Sequence, residues 1–452
     1  MVDNEEPLMR REMAQVEYFD REVETASREV LKNIQLTKLK ALLNKVYQSN
    51  PFYIRKFKEH GVTPEDIKTM GDIVKLPFTS KIEFQEDQEK DPIFGTNLTE
   101  PFENYARYHQ TTGTTGKPLK WLDTKESWEW SAGCSAMSLW AAGVRPSDIV
   151  FFPFGFGPHP AYWGLFEGSL KIGAMVIPGG GWDTSQRLEC ILGNQVTVIC
   201  CTPTYALRLA EVAQEKDIDL RNSAVRIIVD GGEPGALIPS VKKKIETLWN
   251  AKFFDYVGST EVRAHSFQCN MQESAVHIIE SEFIPEVIDP DTCAHVEEGE
   301  MGELVLTNLG RSCSPAIRFR TNDMVKFKKG QCPCGRTFRM FDGGILGRKD
   351  DMIIIRGINV FPAMVGNIVQ KYLSVGDEYR IVAYTKGSLN QLKILLDLSD
   401  ESRKTREKIE NDMTLDLRSS LEIRVEVETV SKNSLEKSDY KSKRFIDKRE
   451  IR

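Results

Sequence analysis

The sequence predicts an α/β protein: a large N-terminal domain with mostly parallel sheets and a small β subdomain, followed by a small mobile α+β C-terminal domain. Three observations predict it. Between 149 and 256, short apolar runs alternate with helical stretches, the pattern of buried parallel strands covered on both faces. From 276 to 330 the chain turns strand-rich, with polar turns at Asp289-Pro290-Asp291 and Glu298-Gly299-Glu300. A glycine-led polar break, Gly347-Arg348-Lys349-Asp350-Asp351, then separates a last stretch of short strands and one helix. The domain limits expected are 1–346 (with an opening helical segment to about 105), a hinge at 347–351, and 352–452.

In chain order, residues 12–48 read as helix because Leu31, Ile34, Leu36, Leu39, Leu42, Leu43 and Val46 recur at roughly helical spacing, and Asn50-Pro51 stops the pattern. A short strand at 120–123 leads into a helix over 125–143. Buried strands are expected at 149–152, 174–177, 196–201, 225–230 and 252–256, with helices near 186–193, 204–216 and 237–249. After the break come strands at 352–355, 380–384, 392–398 and 423–430 and a helix near 402–419.

Composition removes several classes of function. A net charge of -6 argues against a general nucleic-acid binder. The opening MVDNEEPLMRREM has acidic residues and no apolar core, so it does not read as a secretory signal. No apolar run approaches the ~20 residues that span a bilayer. Nine irregularly spaced cysteines, two of them adjacent at Cys200-Cys201, point to reduced thiols in the cytoplasm, with a metal among some of them.

The stretch with most chemistry is TTGTTGKP at 111–118. Its glycines, hydroxyls and backbone N–H groups suit a cradle for phosphate oxygens. It is not a Walker A loop: Gly113 and Gly116 stand only two residues apart, and Pro118 fills the place of the magnesium-binding hydroxyl. Two further loops, 230–235 and 257–261, follow directly on expected strands, where ligands of parallel sheets bind.

YHQTTGTTGKP at 108–118, Gly232-Glu233-Pro234, VGSTE at 257–261, IRFRTND at 317–323 and GRKDDMIIIRGINVFP at 347–362 come in the order found in the adenylate-forming (acyl-CoA synthetase) superfamily. The chain resembles its phenylacetate–CoA ligase branch over nearly its whole length. The resemblance implies ATP, Mg2+ and coenzyme A as cofactors and a carboxylic acid as substrate, with no nucleic acid, no membrane and room for a homodimer. It implies nucleotide contacts from Thr111, Thr112, Gly113, Thr114, Thr115, Gly116 and Lys117 on the phosphates. Gly232, Glu233 and Pro234 lie along the adenine, with Tyr256, Gly258 and Ser259 beside them. Thr260 sits near the α-phosphate, Glu261 faces magnesium, and Arg348 touches the nucleotide. Asp323 accepts from both ribose hydroxyls, a task for a group with two acceptor oxygens.

The same resemblance makes Asp350 the hinge pivot and Lys441 the adenylation lysine, whose ammonium bridges the substrate carboxylate and the α-phosphate. Arg356, Gly357 and Asn359 form the loop of the thioester-forming state. The segment 154–164 matches the acid pocket, with Phe154, Phe156, His159 and Trp163 on it, Trp182 nearby, and His265 as another polar contact. The aromatic density of that segment suits a flat aryl group and equally a packed core. Cys269, His277, Cys332 and Cys334 resemble the structural zinc site of some members; otherwise they are reduced thiols. Three departures stand out: Val257 replaces the usual aromatic residue, Tyr440 the glycine before the lysine, and the upstream proline is missing at Leu435-Glu436.

The activity expected is therefore ATP-dependent acid–CoA ligation. A carboxylate, aryl or arylacetic, attacks the α-phosphorus to give an acyl-adenylate and pyrophosphate, and coenzyme A then displaces AMP. The alternatives are an adenylating enzyme with another acceptor (an amine, a carrier protein or a deazaflavin) and a nucleotide-binding regulatory protein without catalysis.

Overall fold

A computed structural model describes residues 18–111, 117–355, 358–374, 376–386, 389–421, 423–436 and 444–449. Its centre is an eight-stranded sheet. In spatial order the strands are Met340–Asp342, Ala275–Ile278, Arg263–Phe267, Lys252–Ser259, Ile227–Asp230, Val198–Cys200, Ile149–Phe152 and Met175–Pro178. The five from Lys252–Ser259 outward are parallel, and the other three run antiparallel. The parallel strands are short and apolar, as in Ile227–Asp230, where every residue is buried. They are buried on both sides because two separate apolar clusters, one on Leu165, Val229 and Phe254 and one on Ile199, Leu209 and Phe253, sandwich the sheet.

Helix boundaries follow local chemistry. Pro203 and Pro239 open the helices Pro203–Glu215 and Pro239–Trp249, where a missing N–H costs nothing, and Thr202 caps the first by accepting from Tyr205 N at 3.2 Å. The single helix expected over 12–48 is instead two: Arg21–Glu24, then Arg28–Ser49. Ser27 divides them, because its hydroxyl accepts from Val30 N and starts a new helix. The strand expected at 120–123 is present as Lys120–Thr124 and pairs with Tyr105–Gln110, which the sequence reading did not place, nor did it place the helices Pro51–Glu59 and Ala161–Ile172.

The strand-rich stretch divides differently from the expectation. Ala275–Ile278 joins the large sheet, whereas Phe283–Ile288, Met301–Asn308, Phe319–Lys326 and Gly347–Arg348 form a separate antiparallel sheet. Gly347 and Arg348 therefore pair with Met324 and Asp323, and irregular backbone begins only at Lys349.

The C-terminal unit has its own core on Ile381, Leu392, Leu396 and Leu417. Strands Glu378–Lys386 and Leu389–Asp397 pair antiparallel, flanked in parallel by Phe445–Lys448 and Val425–Thr429. The expected helix near 402–419 is a turn at Asp400–Arg403 followed by Arg406–Leu421. No described helix is long and apolar enough to cross a membrane.

Candidate active site

The last parallel strand, Lys252–Ser259, turns directly into the antiparallel Arg263–Phe267. Thr260, Glu261 and Val262 form that turn, at the C-terminal end of the parallel block. Gly258 is required here: a Cβ would lie 2.9 Å from Arg263 O and 3.0 Å from Ala264 Cα. Arg263 closes the hairpin with φ +75°, the left-handed position of a three-residue loop that glycine normally fills. For a side-chain-bearing residue this costs roughly 1–2 kcal/mol.

What holds Arg263 there lies underneath. Its guanidinium is ion-paired with Asp123, on the strand that follows the phosphate loop. Arg311 grips the same carboxylate with two bonds, Nε to Oδ1 at 2.7 Å and Nη2 to Oδ2 at 2.9 Å. Its remaining nitrogen donates to Glu261 O at 2.8 Å and Thr260 O at 3.4 Å. Burial opposes a charge on Asp123, but Arg263 and Arg311 beside it outweigh burial and hold its carboxyl below the usual range. His109, stacked on Trp128 at 4.7 Å, is pushed by burial down to about 3 and stays neutral. Asp123, Arg263 and Arg311 were absent from the sequence reading.

Glu261 is buried and faces the Lys81 ammonium at 3.3 Å. A carboxylate already facing a cation, beside a phosphate-loop hairpin, is a donor that suits Mg2+, which takes one or two carboxylates together with phosphate oxygens. Asp323 lies near enough for the Glu261 charge to act on it; burial raises its carboxyl to about 6 against the pull of Arg348. Arg348 donates to Asp323 at 3.2 Å and, through both arms, to Asp350 at 2.9 Å.

The ends of the phosphate loop are pinned together. Thr111 N donates to Leu119 O at 3.0 Å, and Leu119 N to Thr111 Oγ1 at 3.0 Å. Lys117 is exposed and paired with Glu89 at 3.2 Å. Thr112, Gly113, Thr114, Thr115 and Gly116 lie outside the described residues, as do Arg356, Gly357 and Lys441, and the Asn359 side chain is not described either.

At 231–236, Gly232 takes φ +89° and Glu233 accepts from Thr204 N at 2.8 Å. The loop is bracketed by Tyr162 Oη, which donates to Gly231 O at 3.1 Å, and by Asp230, which accepts from Ala236 N at 2.8 Å. Asp230 shares its buried position with Asp255, and burial raises both carboxyls, Asp255 to about 6. Tyr256 is buried against this loop: a Cβ on Gly231 would lie 3.4 Å from its Cδ1, and its hydroxyl shares a bond with Ser135 at 3.1 Å. Val257, next on the strand, takes the opposite face.

The acid-pocket candidates fall into two aromatic groups, Phe154 in one apolar cluster and Phe156 against the other. Phe154 stacks on Tyr162 at 3.9 Å, and Phe156 meets Trp163 edge-on at 4.6 Å. His159 lies against Gln110 O at 3.0 Å, which ties this segment to the strand entering the phosphate loop. Trp182 is exposed, 6.4 Å from Phe151. His265 stands apart, buried against Ser266.

Away from this site, Cys269, His277, Cys332 and Cys334 are all buried, with donor atoms within 4.8 Å of one another. Cys269 and Cys332 sulfurs are 3.6 Å apart, close to the edge of a tetrahedron with Zn–S bonds of about 2.3 Å. Phe338 O accepts from His277 Nδ1 at 3.2 Å, which leaves Nε2 turned to Cys334 Sγ at 3.5 Å, the tautomer a metal needs. The chain's N-terminal strap covers this knuckle: Tyr18 Oη donates to Cys334 O at 2.8 Å, Arg336 pairs with Glu24 at 2.5 Å, and Thr337 N donates to Glu24 O at 3.0 Å.

Two family models match the chain: AMP-binding enzyme over residues 24–310, and AMP-binding enzyme C-terminal domain over 357–449. A phenylacetate-coenzyme A ligase of Thermus thermophilus is 34% identical over 84% of this chain and 84% of its own length. One from Escherichia coli K12 is 31% identical over 95% and 97%. Among solved structures, 2-hydroxyisobutyryl-CoA ligase in its post-adenylation state, in complex with 2-HIB-AMP, is 27% identical with a TM-score of 0.89, covering 95% of this chain and 92% of that one. The same enzyme in the thioester-forming state, with CoA, gives 0.72 at almost equal coverage.

Proposed function

The chain belongs to the AMP-binding enzyme family, and on that premise we propose how its residues divide the work and which acid it takes. It is an AMP-forming acid–CoA ligase: it consumes ATP, passes through an acyl-adenylate and delivers the acyl group to coenzyme A. The acid is aryl or arylacetic, as the aromatic residues Phe154, Phe156 and Trp163 and the phenylacetate ligases among its relatives favour.

The observation that carries the division of work is the meeting of three segments at the end of the last parallel strand. The strand after the phosphate loop and the Thr260–Glu261 turn are joined by buried bonds through Arg311, and Asp323 lies within reach of the Glu261 charge. The loop at 111–117 wraps the triphosphate, Thr260 stands near the α-phosphate, and Asp323 holds the ribose. Glu261 turns its carboxylate to magnesium, which when bound neutralises charge on the phosphates. Lys441 stabilises the charge that develops between carboxylate and α-phosphorus. The 0.89 likeness to a post-adenylation structure supports the present placement as the one that follows adenylation. Asp350 is the pivot for the second placement, in which Arg356, Gly357 and Asn359 approach the adenylate.

Cys269, His277, Cys332 and Cys334 hold a structural zinc, as their three-sulfur, one-nitrogen set suggests. Elemental analysis then returns one zinc per chain; a metal-free, fully active preparation would remove this assignment. For the reaction, a panel of carboxylic acids is assayed for AMP release with ATP, with and without coenzyme A. Arylacetic or aryl acids should release AMP fastest and only with the thiol. A panel on which short aliphatic acids win overturns the aryl assignment, and turnover without coenzyme A overturns the acceptor.

A further inference from the structure

Building on the adenylation reading, we propose that Arg311 is a positioning residue: its guanidinium, gripped by Asp123, sets the backbone of the turn that carries Thr260 and Glu261. Four polar contacts of one guanidinium carry this. Two nitrogens hold the Asp123 carboxylate, and the third holds the carbonyls of Thr260 and Glu261. Trp121 packs beneath the plane, with the guanidinium carbon 4.7 Å from its ring centre. Arg311 is fully buried, so no water competes for any of these bonds. With both carbonyls drawn down to Arg311, the carboxylate of Glu261 has one direction left, towards Lys81 and the phosphate side.

The cluster does not look like a stabilising core device. Two guanidiniums face one carboxylate, and neutral His109 adds nothing, so one positive charge stands in excess in the interior. Among the described residues, Arg263 Nε and Nη1 have no hydrogen-bond partner. Apolar side chains would fill the same space without that penalty. An interior positive charge next to the seat of a triphosphate is useful once the polyanion binds, and the left-handed φ of Arg263 places the strain at the same turn.

The function of Arg311 rests on the fork shape of its side chain, which lysine lacks. Two variants separate shape from charge. Arg311→Lys keeps the charge; Arg311→Gln leaves Asp123 and Arg263 as a balanced pair and so protects the fold. Two readouts are taken on each. Calorimetric titration with ATP, with and without Mg2+, measures the affinity that magnesium adds. Pyrophosphate exchange is compared with thioester formation from supplied acyl-adenylate, which needs no metal. Arg311→Lys should bind ATP alone like wild type and Arg311→Gln more weakly, for the lost charge; both should lose most of the magnesium-dependent gain and about tenfold or more in exchange, with thioester formation nearly unchanged. Arg311→Lys behaving as wild type overturns the proposal, because charge alone would then suffice. Equal loss in both half-reactions, or an intact magnesium gain, also overturns it, since Arg311 would then be structural only. If wild type shows no acid-dependent exchange, the adenylation reading fails, and the titrations alone still decide the role of Arg311.

Discussion

The Arg311–Asp123 and Arg348–Asp350 pairs use the same two side-chain types on either side of one site, but the first pair is 0% exposed and the second 40% and 47%. Burial changes what such a pair can do. Arg311 cannot leave Asp123 without stranding charges in a poorly polarisable interior. Arg348 and Asp350 can exchange each other for water at little cost. The buried pair therefore suits a fixed seat, and the exposed pair suits a segment that must change its partners. Fixity and motion are set by solvent access, not by residue type.

The sharpest way to break this comparison is to remove one carboxylate from each pair. Asp123→Ala leaves two buried guanidiniums unpaired and should cost roughly 3–5 kcal/mol, whereas Asp350→Ala should cost under ~1 kcal/mol. Urea denaturation of both variants decides it, and equal losses would abolish the distinction. The next effect is kinetic. Asp350→Pro restricts the backbone at the pivot and should keep adenylation while lowering thioester formation about 10²-fold. Lys441→Ala should show the converse, and parallel loss of both half-reactions in both variants would leave no separate hinge.

The smallest effect concerns Asp323, which stands between the two pairs. Its folded-state carboxyl is raised to about 6 from 3.8, so the folded protein takes up a proton there as pH falls through 6. Its ionised form at pH 7 thus detracts from stability, and the deficit disappears towards pH 4. Asp323→Asn should raise the melting temperature at pH 7 by about 2 °C, with the difference from wild type shrinking below pH 6, and should weaken ATP binding. A constant difference across pH would show that ionisation of Asp323 is not the cause.

Much of the architecture was legible because it is written locally. Apolar runs such as 227–230 give buried strands, and the prolines at 203 and 239 mark helix starts. The four zinc-type donors were legible as a set because thiols and imidazole are rare and chemically distinctive. Asp123, Arg263 and Arg311 were not, since an isolated charge in a sequence reads as surface. Their partners stand 140 and 188 residues away, so no local pattern marks them. The face that Tyr256 takes was not legible either: one residue along a strand reverses the face, and the sequence alone did not say which face was the core. The division of the opening helix turned on one serine hydroxyl, a signal present in the sequence but outweighed by the leucine periodicity.

The strap of Tyr18, Glu24 and Ala26 over the cysteine knuckle has a consequence for the order in which the molecule comes together. Its bonds to Cys334, Arg336 and Thr337 span more than 300 residues. During synthesis the strap emerges before its seat, which is made only after seven of the eight strands of the large sheet. It cannot close until that seat exists. Removal of the zinc proposed there should then be felt first at this strap, as earlier proteolytic cutting near residues 18–28, before the sheet opens.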